Sequence, residues 1–159
     1  MDDVTIALAI HVLAVVLWIG GVAMVTTVLL PAVRRFKSAE ERIAFFETIE
    51  RRFAWQSRGT TLLAGASGFY MMYRMNLWSE FLTVEYWWLG AMVAVWFLFT
   101  LMLFVIEPLV LDRWFEARAR QAPESTFARL QRFHWVLLML SLVTILGAVA
   151  GSHGLSFFG

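Results

Sequence analysis

Three histidines, a Glu-Pro step and a few arginines hold most of the chemistry open to this 159-residue chain, because it contains no cysteine. Without thiols, disulfides, thiolate metal sites, iron-sulfur clusters and a cysteine nucleophile are excluded, and histidine, methionine and carboxylate remain as candidate ligands. His11 sits in HVLAVVLWIGG, a run so apolar that an ionisable ring inside it needs a reason. The bland reason is a packed or hydrogen-bonded core histidine. The sharper one is a metal ligand, because an ionisable group at membrane depth costs about 3 kcal/mol even on mild scales and is usually functional. His153 lies in GAVAGSHG, between Ser152 and Gly154, where water would also satisfy it, and His134 opens the last apolar run at its other end.

Two imidazoles facing each other across a flat macrocycle would hold the iron of a b-type haem. Gly147, Gly151 and Gly154 recur at helical spacing on one face, and Gly20, Gly21, Gly65, Gly68 and Gly90 fall in neighbouring apolar runs at related depths. Small residues in this pattern either pack helices closely or admit a planar ring between them. Trp18 follows His11 by seven residues on the same helix face. Arg74, the one cation near that end, could pair with haem propionates or snorkel to the headgroups. Met71, Met72 and Met75 offer a competing Cu(I) chemistry, with Met24 alone continuing inward. At the other end Glu107 precedes Pro108, with His134, Arg58 and Arg34 at a similar level. That group reads as an ion-paired latch or a proton-handling pair, and Pro108 should free a backbone carbonyl and kink its helix.

The elements that must position these residues are membrane helices. Hydrophobic residues make up 60% of the chain and charged ones 16%, with a mean hydropathy of +0.71, far from a soluble domain. Apolar runs over 4–33, 59–77, 86–111 and 133–157 are each long enough to span, which predicts an all-α, integral-membrane four-helix bundle as one domain. Asp2 and Asp3 stand where a signal peptide would be basic, so the first run should be a retained helix. Between the first two runs, SAEERIAFFETIERRFAW pairs Ser38 with Glu41 as a capping box and repeats Ile43, Phe46, Ile49 and Phe53 at helical intervals. It predicts an amphipathic interfacial helix over about 38–56.

Charge orients the bundle. Arg34, Arg35, Lys37, Arg42, Arg51, Arg52 and Arg58 follow the first run, and Arg113, Arg118, Arg120, Arg129 and Arg132 follow the third. The positive-inside rule makes both segments cytoplasmic and both termini external, as for a protein of a bacterial inner membrane. The net charge of +1 carries no nucleic-acid signal. His11 then lies about 10 Å below the outer surface at the helical rise, and His153 returns to a similar level, while His134 is across the bilayer. Trp78, Tyr86, Trp87 and Trp88 fit an outer aromatic belt, Trp55 and Trp114 an inner one. Trp96, Phe97, Phe99 and Phe104 would accept lipid or a second copy of the chain.

His11, Trp18, Gly20, Gly21 and Pro31 form the pattern H-x6-W-x-G-G-x9-P, which resembles the first helix of the copper-resistance protein D (CopD) family; ARLQRFH before His134 and the glycine-bearing last helix also look like that family. More distantly the chain is similar to HemJ-type protoporphyrinogen oxidases, in which a Pro-Arg pair follows sooner than Pro31 does here. The resemblance implies a four-helix membrane unit whose first-helix histidine binds haem or copper. Carried over, it points to His11, with His153, Arg74, Trp18 and Gly151 around a haem b. The expected function is electron transfer between an outer-side redox partner and the membrane quinone pool. Copper binding or transport is the alternative, and a cofactor-free subunit of a larger membrane complex is the third reading.

Overall fold

A computed structural model describes residues 3–36, 38–81 and 83–155. The expected end of the last span at Phe157 lies outside the described residues, as do Asp2, Lys37 and the side chains of Arg113 and Arg120. The chain is all-helical, with no strand among the described residues: α1 Asp3–Met24, a π-helical turn Val25–Leu29, α2 Leu30–Val33, α3 Ala39–Arg74, α4 Trp87–Leu101, a π-helical stretch Met102–Leu111, α5 Asp112–Gln121 and α6 Pro123–Ser152. Three helices are long and apolar enough to cross a membrane, Asp3–Val33, Trp87–Leu109 and Pro123–Ser152. They coincide with the first, third and fourth expected spans. Their outward surfaces carry bare aliphatic and aromatic side chains such as Val16, Val28, Phe97, Leu109 and Leu146, as lipid contact requires.

The remaining stretches merge. Residues 38–56, expected as a separate interfacial helix, are the first half of α3, a 36-residue helix that runs on through Gly59 to Arg74 without a break. The reason lies on one face. Phe46, Ile49, Phe53, Ser57, Thr61, Ala64 and Gly68 recur every three or four residues, so the apolar stripe of the first half and the small residues of the second form a single seam. That seam packs chiefly against α1, while α4 packs chiefly against α6, and α1–α6 and α3–α4 contacts close the arrangement. Phe46 is buried against Val25, Leu29, Leu30, Val33 and Phe127, so the stripe faces protein. The Ser38 hydroxyl caps α3 by accepting from the Glu41 N–H at 3.2 Å, but it donates its own hydrogen to Glu40, not Glu41, at 2.9 Å.

Proline explains both π-helical segments. Within the first, Leu30 N–H bonds Val25 O, a five-residue step. On that step the missing N–H of Pro31 leaves Thr26 O unclaimed, and Gln131 of α6 donates to it at 3.5 Å. The second segment contains Pro108, whose missing N–H leaves Leu103 O unclaimed on the same step; the Arg58 Nε donates to it at 3.2 Å. The carbonyl expected to be freed by Pro108 is therefore taken up by a side chain of α3.

Two helices stop in the same way. At the end of α3, Leu77 N–H bonds Met72 O and Asn76 N–H bonds Tyr73 O, with Asn76 at φ 54°. At the end of α6, Leu155 N–H bonds Ala150 O and Gly154 N–H bonds Gly151 O, with Gly154 at φ 84°. Both are Schellman caps built on a left-handed residue. His153 is thus the C-cap of α6, whose last helical residue is Ser152.

Candidate functional site

The termini of the long helices define two ends. One holds the start of α1, the turn after α3 and the end of α6; the other, rich in arginine, holds the start of α3, α5 and the start of α6, tied by Arg42 to Glu124 at 2.7 Å and Arg34 to Gln131 at 3.2 Å.

At the terminal end, His11 turns toward α3. Its Nδ1 lies 2.9 Å from Ala64 O and 3.2 Å from Ser67 Oγ, and the Ser67 hydroxyl itself donates to Leu63 O at 2.6 Å. These partners assign the proton to Nδ1, which donates to Ala64 O and leaves the Nε2 lone pair free. A methyl group on Gly68 would press on the imidazole edge, so that glycine is the seat of the ring. Four other glycines are seats as well: Phe53 fills the space at Gly21, Trp96 at Gly65, Trp87 at Gly147 and Trp88 at Gly151, whereas Gly20 and Gly154 face open space. Trp96 is fixed further by donating Nε1 to Thr61 O at 2.9 Å.

The other expected members of the outer site have partners elsewhere. His153 is exposed, with Nδ1 2.8 Å from Val149 O of its own helix. Arg74 forms an ion pair with Asp3 at 2.8 Å, and Tyr70 donates to the same carboxylate at 2.8 Å. Met72 is buried and Met75 exposed, so the methionine cluster does not share one face. A haem b held by His11 and His153 fits in one respect and not in another. Each ring keeps its proton on Nδ1 against a backbone carbonyl, the tautomer a ligating histidine needs. His134 does the same, however, with Nδ1 2.9 Å from Leu130 O. The glycine face meant to admit the porphyrin is filled by Trp87 and Trp88, and no group of three or more His, Asp or Glu side chains suited to a metal occurs among the described residues.

At the arginine-rich end the arrangement is reversed: space is present and partners are missing. A cavity of about 380 Å³ opens between α1, α3, α6 and the π-helical stretch. Trp18, Ser57, Arg58, Glu107 and His134 line it, with Phe53, Phe99 and Phe133 among its aromatic walls. Arg58 and Glu107 are bonded at 2.9 Å and mostly shielded from solvent, the latch anticipated between α3 and the helix bearing Pro108. Since Arg58 also holds Leu103 O, one guanidinium fixes both the charge and the backbone of that wall. Trp18 is 4% exposed and stands edge-on to Phe99 at 4.9 Å, yet its Nε1 has no hydrogen-bond partner among the described residues. Ser57 Oγ is in the same state, as is Thr61 Oγ1 one turn further along α3.

The sequence reading grouped Trp18 with His11, whereas the structure also places it in the cavity wall, and it did not single out Ser57. The signal was present: Ser57 falls between Phe53 and Thr61 on the inward seam of α3, a hydroxyl on a face that otherwise buries carbon. Compared with protein-family models, curated proteins and solved structures, the chain finds no match.

Proposed function

We propose that this chain is an integral membrane four-helix bundle with its arginine-rich end in the cytoplasm, and that its working site is the cavity at that end, where it binds a small ligand taken from the bilayer. The observation that carries this reading is a cavity walled by aromatic rings and the shielded Arg58–Glu107 pair, bordered by Trp18 and Ser57, whose buried Nε1 and Oγ have no partner among the described residues. A buried donor without a partner costs roughly 1–3 kcal/mol, and a ligand whose entry turns the Trp18 indole toward the cavity would recover it. The Arg58–Glu107 pair keeps the wall in place around the ligand. Mass spectrometry of the protein released from its native membrane should find a retained small molecule. Ser57→Leu, which fills the cavity, should lose it; equal retention by both proteins would sink the reading. A reporter fused after Gly159 should report the outer compartment.

A metal held through His11 is the second reading, favoured by the free Nε2 that the Ala64 carbonyl enforces. The resemblance of the first helix to CopD-type proteins supports haem b or copper there, with electron transfer to the quinone pool as the corresponding activity. A Soret band in the purified protein, lost in His11→Ala and kept in His134→Ala, would establish haem at the terminal end, and copper by metal analysis would establish the alternative. A Soret band lost only in His134→Ala would move the cofactor into the cavity. Neither signal would leave a cofactor-free membrane subunit.

A further inference from the structure

We propose that the cavity at the arginine-rich end holds an aminophospholipid, with one acyl chain drawn into it and a zwitterionic head at its mouth. The proposal rests on the cavity being the working site and names what fills it. Glu47 and Arg51 carry it. They stand one turn apart on α3 and both line the cavity, Glu47 half-buried and Arg51 exposed. A glutamate four residues before an arginine is the order that pairs best along a helix. Here the two do not close on each other, and neither side chain has a hydrogen bond or an ion pair among the described residues. The other charges beside the cavity are engaged: Arg58 and Glu107 hold each other at 2.9 Å, and Glu50 has a partner within the protein.

Two opposite charges left open in one wall select a ligand that carries both. A phosphate alone would face the Glu47 carboxylate, and an ammonium alone would face the Arg51 guanidinium, each a like-charge contact. A head with a phosphate and a primary ammonium satisfies the two together. Its phosphate accepts from the forked donors of Arg51, and its ammonium donates to Glu47. Trp55 and Trp114 line the same cavity, and such amphipathic rings favour headgroup depth.

The rest of the lining suits hydrocarbon. Away from Glu47 and Arg51, toward the middle of the bundle, Val22, Phe99, Met102 and Leu137 make the far end apolar. Phe46 and Arg58, which both line the cavity, lie roughly 18 Å apart along α3 at the helical rise. A volume of about 380 Å³ drawn out over that length leaves the width of one hydrocarbon chain, not two, so the second chain of the lipid stays in the bilayer. The Arg58–Glu107 pair lies beside this chain as a closed unit and asks for no charge from it.

The test uses the full chain, stripped of lipid in maltoside micelles. Native mass spectrometry counts the lipids retained as phosphatidylethanolamine or phosphatidylglycerol with the same chains is added. One phosphatidylethanolamine should be retained at a concentration roughly tenfold below that needed for phosphatidylglycerol. Glu47→Gln should weaken it about tenfold and bring the two lipids closer in affinity; Arg51→Gln should weaken both lipids, and Arg51→Lys should keep most of the binding. The unfolding temperature of the lipid-free protein should be the same in all three variants, since none loses a bond within the protein; weaker binding at unchanged stability is a signature that a packing role would not produce. Lysophosphatidylethanolamine, with its single chain, should displace the phospholipid. Failure to displace it would place the lipid on the outer surface and overturn the proposal, as would equal retention of the two lipids by the parent protein or unchanged affinity in both glutamine variants. If phosphatidylethanolamine is not preferred while a molecule retained from the native membrane is lost on Ser57→Leu, the headgroup assignment is wrong and the cavity reading stands; if nothing is retained, both fail.

Discussion

The terminal half and the arginine-rich half of this bundle use the same materials to opposite ends. Around His11, four glycines are filled: Gly65 by Trp96, Gly147 by Trp87, Gly151 by Trp88, Gly68 by His11 itself. Charges there close on each other, Arg74 and Tyr70 on Asp3. Around His134, a cavity is bordered by Trp18 and Ser57, whose polar atoms have no partner among the described residues. Residue type alone does not separate the two places, since each has a histidine, an arginine, a carboxylate and tryptophans. What separates them is whether space and hydrogen-bonding capacity are used up. A finished region supports the fold, and an unfinished one is where, on the proposed reading, a ligand would complete it.

Breaking the arginine-rich half should have the largest effect. Arg58→Ala removes the ion-pair partner 2.9 Å from the shielded Glu107 carboxylate and releases Leu103 O, so we expect a loss of about 3 kcal/mol in detergent unfolding, most of it regained in an Arg58→Leu, Glu107→Leu double variant. A loss below about 1 kcal/mol would show that the pair is solvated and the wall is not fixed. Next, Gly65→Ala should cost roughly 1–3 kcal/mol, because the added methyl collides with the Trp96 ring, which cannot retreat without breaking its bond to Thr61 O. If Gly65→Ala is neutral, the terminal half has slack and the contrast between the halves weakens.

A smaller effect of opposite sign is expected at Thr61→Val, which removes an unpartnered hydroxyl at constant shape and should raise stability by about 1 kcal/mol. Destabilisation instead would mean that Thr61 Oγ1 is satisfied in the membrane and that missing partners do not mark the working half. The smallest effect belongs to the surface. Arg42 beside Glu124, ahead of the apolar part of α6, holds that carboxyl below its usual range, so the pair contributes above the ordinary glutamate range and is lost as pH falls through the lowered value. Glu124 is exposed, and Glu124→Gln should therefore leave both the unfolding temperature and its acid dependence nearly unchanged.

Much of the framework was legible from hydropathy because α1, α4 and α6 face lipid, and a lipid-facing helix must be apolar on most of its surface. The second span was harder to delimit for a physical reason. α3 buries a seam of serine, threonine and glycine against α1, so it looks less like a membrane helix the better it packs. Its fusion with the preceding segment was invisible because composition changes near Trp55 while the face does not. Of the site residues, Arg58, Glu107 and His134 could be grouped from depth alone. The glycines were read as room for a porphyrin because sequence shows where bulk is absent on one helix but not which ring a neighbouring helix sends into the gap. The cavity was illegible for the converse reason, being defined by what no side chain fills.

The unbroken length of α3 has a mechanical consequence. Its 36 residues make a rod of about 54 Å at the helical rise, against a hydrocarbon layer of roughly 30 Å. On the proposed four-helix membrane arrangement, several turns at its start would project beyond the hydrocarbon as a stiff handle, with Trp55 and the Arg58–Glu107 contact close to where the rod would enter. No proline or wide turn interrupts it between Ala39 and Arg74, so a sideways push near Phe45 is transmitted as tilt, with the arginine contact as fulcrum. The seat of Ser57 moves with the rod. A force applied at the start of α3 would thus reach the cavity wall by leverage, with no need for any part of the helix to unfold.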